Sequence, residues 1–333
     1  MTRKELTRVF GAFDTMNVLI IGDVMIDSYL WGDVSRISPE APVPIIATTG
    51  RENRLGGAAN VALNIQALGA TPIMCSVIAK DEAGSIFMDL LKENKLPAQG
   101  IITTGKRQTT VKTRIISQQQ HLLRIDEEAN TPLDESLEGK LQAHIEDLLN
   151  TYRIDAIIFE DYDKGVLTPA TIEYTVKLAQ SKGIPTLVDP KKRNFLAYNE
   201  VTFFKPNLKE FKEGAKVEIN GNDREGLLKA AKDFAKQQGI RHFMLTMAEK
   251  GVLILNEQQH HFIPAQVRKI ADVSGAGDTV ISVSALCLAG GLDQKHVAGI
   301  ANMAGGLVCE YSGVVPIDKQ ALLDECFEKL TNE

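Results

Sequence analysis

Apolar positions along this chain alternate between two rhythms. Short continuous apolar runs, at 17–22, 72–79, 156–160, 185–189, 201–204, 242–246 and 252–255, predict strands buried on both faces of a parallel sheet. Between them lie longer segments whose apolar residues recur every three or four positions. These predict helices over 82–94, 134–150, 169–182 and 222–238, and three more around 278–290, 294–310 and 318–330. Leu6, Val9, Phe10 and Phe13 share one helical face, so a short helix over 2–13 precedes the first strand. Gly56-Gly57 opens a further helix over 58–68. Strands alternating with helices predict an α/β fold, a mostly parallel central sheet covered on both faces.

Two stretches break the alternation. Residues 31–49 carry Pro39, Pro42 and Pro44 among β-formers. Proline cannot donate to a central ladder, so this stretch belongs at an edge or in a flap. Residues 109–117 and 121–126 predict an antiparallel pair with the polar tip Gln118-Gln119-Gln120. No internal repeat, low-complexity segment or long linker interrupts the sequence. Residues 1–333 are therefore expected to form one domain, with β lid elements at 31–49 and 109–126.

Composition narrows the function classes. The chain has 333 residues, of which 44% are hydrophobic and 24% charged, the profile of an ordinary globular protein. Its net charge is −6 and its longest basic cluster is Lys191-Lys192-Arg193, so no nucleic-acid partner is expected. No apolar stretch reaches the roughly 18 residues that span a bilayer, and the N-terminus does not read as a signal peptide. No membrane partner is expected, and the expected location is the cytoplasm. Cys75, Cys287, Cys309 and Cys326 form no CxxC pair and read as reduced core thiols, without disulfide or zinc. His260-His261 alternates into a strand-like run and reads as strand surface.

The chemistry concentrates near the C-terminal end, in Asp272-Val273-Ser274-Gly275-Ala276-Gly277-Asp278-Thr279. Two glycines one residue apart let backbone N–H groups approach an anion, and the apolar sequence that follows predicts a helix opening there. A helix N-terminus suits a phosphate, and a carboxylate on its first turn is placed to take a proton from an attacking hydroxyl. From this run alone, a plain glycine-rich turn with an aspartate on the helix dipole also stands. The chain has neither a GxxxxGK[ST] loop nor a GxGxxG after the first strand, so the usual phosphate loop and dinucleotide site are excluded. Asp23, Asp27, Asp161, Asp189, Asn207 and Thr246 all follow strand ends, where open α/β sheets bind ligands.

Gly56-Gly57-Ala58-Ala59-Asn60 and the Asp272–Thr279 run, in that order and roughly two hundred residues apart, resemble the two motifs of ribokinase-type (PfkB) carbohydrate kinases. The resemblance covers residues 17–315. It is strongest to the kinases of ADP-heptose synthesis, which phosphorylate D-glycero-D-manno-heptose 7-phosphate at O1. That emphasis rests on Gly22–Asp27, Ser35–Pro44, Asp161-Tyr162-Asp163-Lys164-Gly165, Asp189-Pro190-Lys191 and Pro206–Glu210. Many such kinases are fused to a nucleotidyltransferase domain, whose HxGH run is absent here, so no such domain is expected within this sequence.

The resemblance implies a ribokinase-like fold, ATP and Mg²⁺, and a role for each matching residue. Asp278 becomes the catalytic base, and Gly275, Ala276 and Gly277 the anion hole. Asp27 and Asn60 bind sugar hydroxyls, and Gly56 and Gly57 admit the sugar to the backbone. Asp161, in a family-like run near the cleft, is expected among the substrate-binding residues. Asn207 and Glu210 match an N-x-x-E element that places Mg²⁺, most simply through water; the same spacing also makes a helix cap. Thr246, Glu249 and Gly251 border the nucleotide, and Asn302 approaches the adenine. A phosphorylated sugar needs cations, for which Lys112, Arg114 and Arg124 are the candidates, with a solvated strand face as the other reading. Ile37, Val43 and Ile45 on the flap either pair with a second flap, giving a homodimer, or pack on the parent domain. Another sugar kinase of the same fold, such as a ribokinase or 1-phosphofructokinase, and a non-catalytic sugar-binding regulator are the alternative functions.

Overall fold

A computed structural model describes residues 1–118, 120–266 and 268–331, so Gln119 of the expected polar tip lies outside the described residues. In chain order the strands are β1 (Asn17–Gly22), β2 (Val24–Ile37), β3 (Pro44–Gly57), β4 (Thr71–Ala79), β5 (Ile101–Thr104), β6 (Val111–Ser117) and β7 (Gln120–Glu127). They continue as β8 (Ala156–Glu160), β9 (Thr186–Asp189), β10 (Phe203–Phe204), β11 (His242–Thr246), β12 (Val252–Leu255) and β13 (His260–Ile263). The helices are α1 (Arg3–Ala12), α2 (Ala58–Ala67), α3 (Glu82–Glu93), α4 (Glu135–Thr151) and α5 (Pro169–Ser181). After them come α6 (Leu208–Ala215), α7 (Arg224–Gln238), α8 (Ala276–Ala289), α9 (Gln294–Val308) and α10 (Lys319–Leu330).

The central sheet has nine strands in the order β13-β12-β11-β10-β9-β8-β1-β4-β5. From β5 to β11 every pairing is parallel, and β12 and β13 add an antiparallel edge. The expected mostly parallel sheet is what forms. The reason is visible in β1 and β8, whose side chains are buried on both faces, as continuous apolar runs require. Side chains alternate between two cores. Val18 and Ile20 face a core built with α1, α2, α8, α9 and α10. Leu19 and Ile21 face one built with α4, α5, α6 and α7. The four cysteines are buried and unbridged. Among the described residues, no helix is long and apolar enough to cross a membrane.

A second sheet, in the order β3-β2-β6-β7, forms the lid. Pro44 opens β3, the edge strand, where its missing N–H costs no ladder bond. The lid is longer than the expected 31–49 and 109–126. β2 begins at Val24 and β3 runs to Gly57, so both strands lead directly into the glycine–asparagine motif. The β2–β3 ladder is interrupted by register shifts at Trp31/Gly32 and Val34/Arg36. Two elements were not foreseen: β5, only four residues long, and α6 as a full helix rather than a possible cap.

Candidate active site

The carboxyl ends of the central strands meet the N-terminus of α8. Gly275 precedes this helix with φ of +77°, a left-handed conformation natural to glycine. A Cβ there would stand 2.9 Å from Val314 Cγ1 and 3.0 Å from Asn60 Nδ2. Residues Asp278 to Cys287 of α8 are buried, whereas Ala276 and Gly277 at its start are partly exposed and line a cavity. The Ala276 N–H donates to Val273 O at 3.3 Å, and the first intrahelical bond runs from Thr279 N–H to Gly275 O at 3.0 Å. The first-turn amides of Gly277 and Asp278 thus have no partner within the helix. An anion can use those two, whereas the Ala276 amide, expected in the anion hole, is already engaged.

Asp278 is held from two sides. Asn60 Nδ2 donates to its Oδ2 at 2.5 Å, from 218 residues away, and the Tyr162 hydroxyl donates to its Oδ1 at 2.9 Å. Burial pushes the Asp278 carboxyl up to about 6; the Asn60 hydrogen bond opposes this, and the nearby Asp189 charge reinforces it. Asn60 Oδ1 is buried without a hydrogen-bond partner in the protein, leaving an acceptor for an incoming hydroxyl.

On the lid side, Asp27 Oδ1 pairs with Arg114 Nη1 at 2.5 Å. Gly56 lies so close to Asp27 that a Cβ would overlap the carboxylate. Gly57 has φ of +61° and ends β3 just before α2. The Arg114 and Arg54 guanidinium groups lie 5.3 Å and 4.9 Å from the Tyr29 ring centre. The three expected phosphate cations separate here. Only Arg114 reaches Asp27. Lys112 pairs with Asp126 at 3.3 Å and Glu128 at 3.1 Å, and Arg124, more than half exposed, pairs with Asp126 at 2.8 Å.

Asp161, expected near the cleft, turns into the body of the protein. Its Oδ2 accepts from Asn194 (3.0 Å) and Tyr198 (2.8 Å), and its Oδ1 from the Asp163 N–H (2.8 Å). Burial raises its carboxyl to about 6. Asp23 is a brace as well, accepting the backbone N–H groups of Tyr162, Lys164 and Val166. Between them these two carboxylates shape the 160–166 loop that presents Tyr162 to Asp278.

On the other side of Asp278 lies a cavity of about 840 Å³. The residues expected at the nucleotide, Asn207, Thr246, Glu249, Gly251 and Asn302, all line it. Asn207 and Glu210 form a reciprocal capping box on α6, with both bonds at 2.9 Å. Glu210 Oε1 also pairs with Lys191 Nζ at 2.5 Å. Asn302 Nδ2 donates to Pro264 O at 2.9 Å. The cap and cavity readings of Asn207 therefore coexist.

Sequence reasoning missed Tyr162 as a partner of Asp278, and missed Lys205 and Glu160. Lys205 is buried and pairs with Asp189 Oδ2 at 2.7 Å. Glu160, Asp189 and Asp278 bring carboxylate oxygens within 4.8 Å of one another. Both Glu160 oxygens are buried and unpartnered. Burial, with the Asp189 and Asp278 charges added, raises the Glu160 carboxyl well above its usual range. The signal was present in hindsight: acidic residues closing two adjacent strands, beside a lysine that directly follows a third.

The profile of the pfkB family carbohydrate kinase matches residues 15–320. The chain is 37% identical over 308 residues to "Bifunctional protein HldE" of Pelobacter propionicus, a match covering 92% of this chain and 62% of that protein. The chain thus spans less than two thirds of this curated relative. Among solved structures, phosphofructokinase-2 from Escherichia coli in complex with potassium superposes with a TM-score of 0.77 at 17% identity, covering 95% of this chain and 99% of that one. A putative ribokinase from Agrobacterium tumefaciens superposes with a TM-score of 0.74 at 15% identity, covering 95% and 98%. The paired motifs, the lidded sheet and the profile agree: this chain belongs to the pfkB family of carbohydrate kinases.

Proposed function

We propose that the protein transfers the γ-phosphate of ATP to O1 of D-glycero-D-manno-heptose 7-phosphate, giving the 1,7-bisphosphate. The observation that carries the reading is Asp278, held by Asn60 and Tyr162 on the first turn of α8, between the lid and a cavity large enough for a nucleotide. A sugar hydroxyl is a poor nucleophile at neutral pH. Asp278, ionised above about pH 6, takes its proton as the phosphorus–oxygen bond forms. The amides of Gly277 and Asp278 receive the phosphate oxygens. Asp27 and the free Oδ1 of Asn60 accept sugar hydroxyls, and Gly56 and Gly57 keep that wall of the site thin.

Oxygen donors around the cavity fit Mg²⁺, a hard cation that binds few protein ligands and keeps its waters. Asn207 and Glu210, which line the cavity, would hold it through water. When bound, Mg²⁺ neutralises charge on the β- and γ-phosphates.

Release of ADP, followed over a panel of sugars and sugar phosphates, tests the substrate. A preference for phosphate-free sugars or for fructose 6-phosphate would favour a ribokinase- or phosphofructokinase-like activity instead. Arg114 is the phosphate-binding cation in this reading, because it alone of the three candidates reaches the Asp27 wall. Arg114→Ala is expected to raise KM for the phosphorylated sugar at least about tenfold and to leave KM for ATP within about twofold. Equal effects on both substrates would remove Arg114 from phosphate recognition.

The lid supports a homodimer. Ile37, Val43, Leu122, Leu123 and Ile125 are exposed on it, an apolar set that a second copy would cover. Leu123→Glu together with Ile125→Glu should shift a dimer to monomer in analytical ultracentrifugation; an unchanged sedimentation coefficient would place the interface elsewhere.

A further inference from the structure

We propose that Lys205 is a catalytic residue that binds the transferring phosphate. Its ammonium would meet the γ-phosphate at the Gly277 edge of the cradle, and Asp189 holds it there between turnovers. The inference rests on the phosphotransfer reading of the site but not on the identity of the sugar.

Position is the first ground. Lys205 directly follows β10, at the carboxyl end of the sheet, and lines the nucleotide cavity. A Cβ built on Gly277 would lie 3.6 Å from Lys205 Nζ and 3.4 Å from Asp189 Oδ2. The ammonium therefore stands beside Gly277, and the absent side chain leaves the space next to it open.

Burial is the second. Lys205 is 2% exposed. Removing an ammonium from water costs several kcal/mol, and a buried ion pair recovers little of that over an apolar pair of the same shape. Stability alone gives no reason for a lysine here. Its partner, Asp189, also sits within the carboxylate group with Glu160 and Asp278.

The third ground is the disposition of the other cations lining the cavity. Lys191 is drawn to Glu210 at 2.5 Å and stands 3.9 Å from Asp189. Arg268 is fixed by Glu310 at 2.7 Å and by Glu325. Neither has a nitrogen beside Gly277. In phosphoryl transfer, the acceptor oxygen bonds to phosphorus as the bond to the β,γ-bridging oxygen breaks. The hydroxyl proton passes to Asp278, and ADP leaves with the bond's electron pair. A cation at the cradle offsets the charge on the equatorial oxygens throughout.

The test compares nucleotides differing by one phosphate. Calorimetry with Mg²⁺ and either ADP or the non-hydrolysable analogue AMP-PNP reads binding without sugar. In Lys205→Met, AMP-PNP affinity should fall at least about tenfold while ADP affinity moves less than about threefold, and kcat should fall about 10²-fold or more. A structural role would weaken both nucleotides together. An equal loss for ADP and AMP-PNP, or a kcat within about threefold of the parent, overturns the proposal. ADP binding also certifies the fold. If the methionine variant does not fold, Lys205→Gln carries the same comparison with the same deciding outcomes. Selective loss of AMP-PNP alongside an inactive sugar panel would sink the heptose reading and leave Lys205 in place.

Discussion

Asp278→Asn is expected to lower kcat by about 10²- to 10⁴-fold, the usual worth of a positioned base, while nucleotide binding survives. The geometry tolerates the change. Asn60 can rotate its amide to accept from the new NH₂ group, and Tyr162 can still donate to the remaining oxygen. In the proposed role Asp278 works only when ionised. Activity should therefore fall as pH drops through about 6, roughly tenfold per unit below it, and the residual activity of the variant should lack that limb. The same shift predicts stability. Folding raises the Asp278 carboxyl from 3.8 to about 6, so the folded protein keeps a proton that the unfolded chain has lost. Its contribution to stability decreases as pH rises across that window and stays low above it. Asparagine removes the penalty, so the variant should be as stable as the parent or more stable at pH 7, by on the order of 1–3 kcal/mol, which thermal unfolding would read as an equal or higher midpoint. Near-parental turnover would remove Asp278 from the role of base. A sharp loss of thermal stability would mean that the deficit is structural.

Gly275→Ala should cost about as much activity without touching the base. The left-handed backbone at Gly275 disfavours any Cβ by roughly 1–2 kcal/mol. The new methyl would also press Asn60 Nδ2 at 3.0 Å, the group that holds Asp278 Oδ2. Either the α8 entrance or Asn60 must shift, and a displaced base commonly costs about 10²-fold in rate. The expected result is kcat down about 10²-fold, with thermal unfolding showing only a modest loss. A variant with unchanged kcat would show that this turn does not seat the Asn60–Asp278 pair.

Much of this site was readable because its chemistry is carried by backbone and first-turn positions. Gly275, Gly277 and Asp278 are set by local sequence, and Asn60 by the glycines before it. The sheet was readable for a similar reason: runs such as Val18–Ile21 admit little but a two-sided strand. Side-chain partners were not readable, since they depend on register between distant strands. Arg114 and Arg124 face one another across β6 and β7, an unfavourable placement for like charges. They separate, one to Asp27 on β2 and the other to Asp126 on its own strand. Lys112 lies opposite Asp126 in the same ladder and is drawn there. Asp161 was misplaced because the direction of a loop carboxylate is decided by Asn194 and Tyr198, more than thirty residues away. α6 is short and its cap doubles as part of the cavity wall, so spacing alone could not separate the two.

The lid strands carry a last consequence. β2 and β3 run as a single ribbon from the Asp27–Gly56 wall out to the hairpin around Ser38 and Val43, with the ladder slipping register at two places. In the proposed role of Asp27, such a ribbon would act as a lever with a short arm at that carboxylate and a long arm in solvent. Whatever grips the long arm, a neighbouring copy included, changes the free energy of seating a sugar. By reciprocity the sugar changes the strength of that grip by the same factor. Assembly and substrate affinity would then be two readings of one balance, and dilution of the protein would alter its apparent KM.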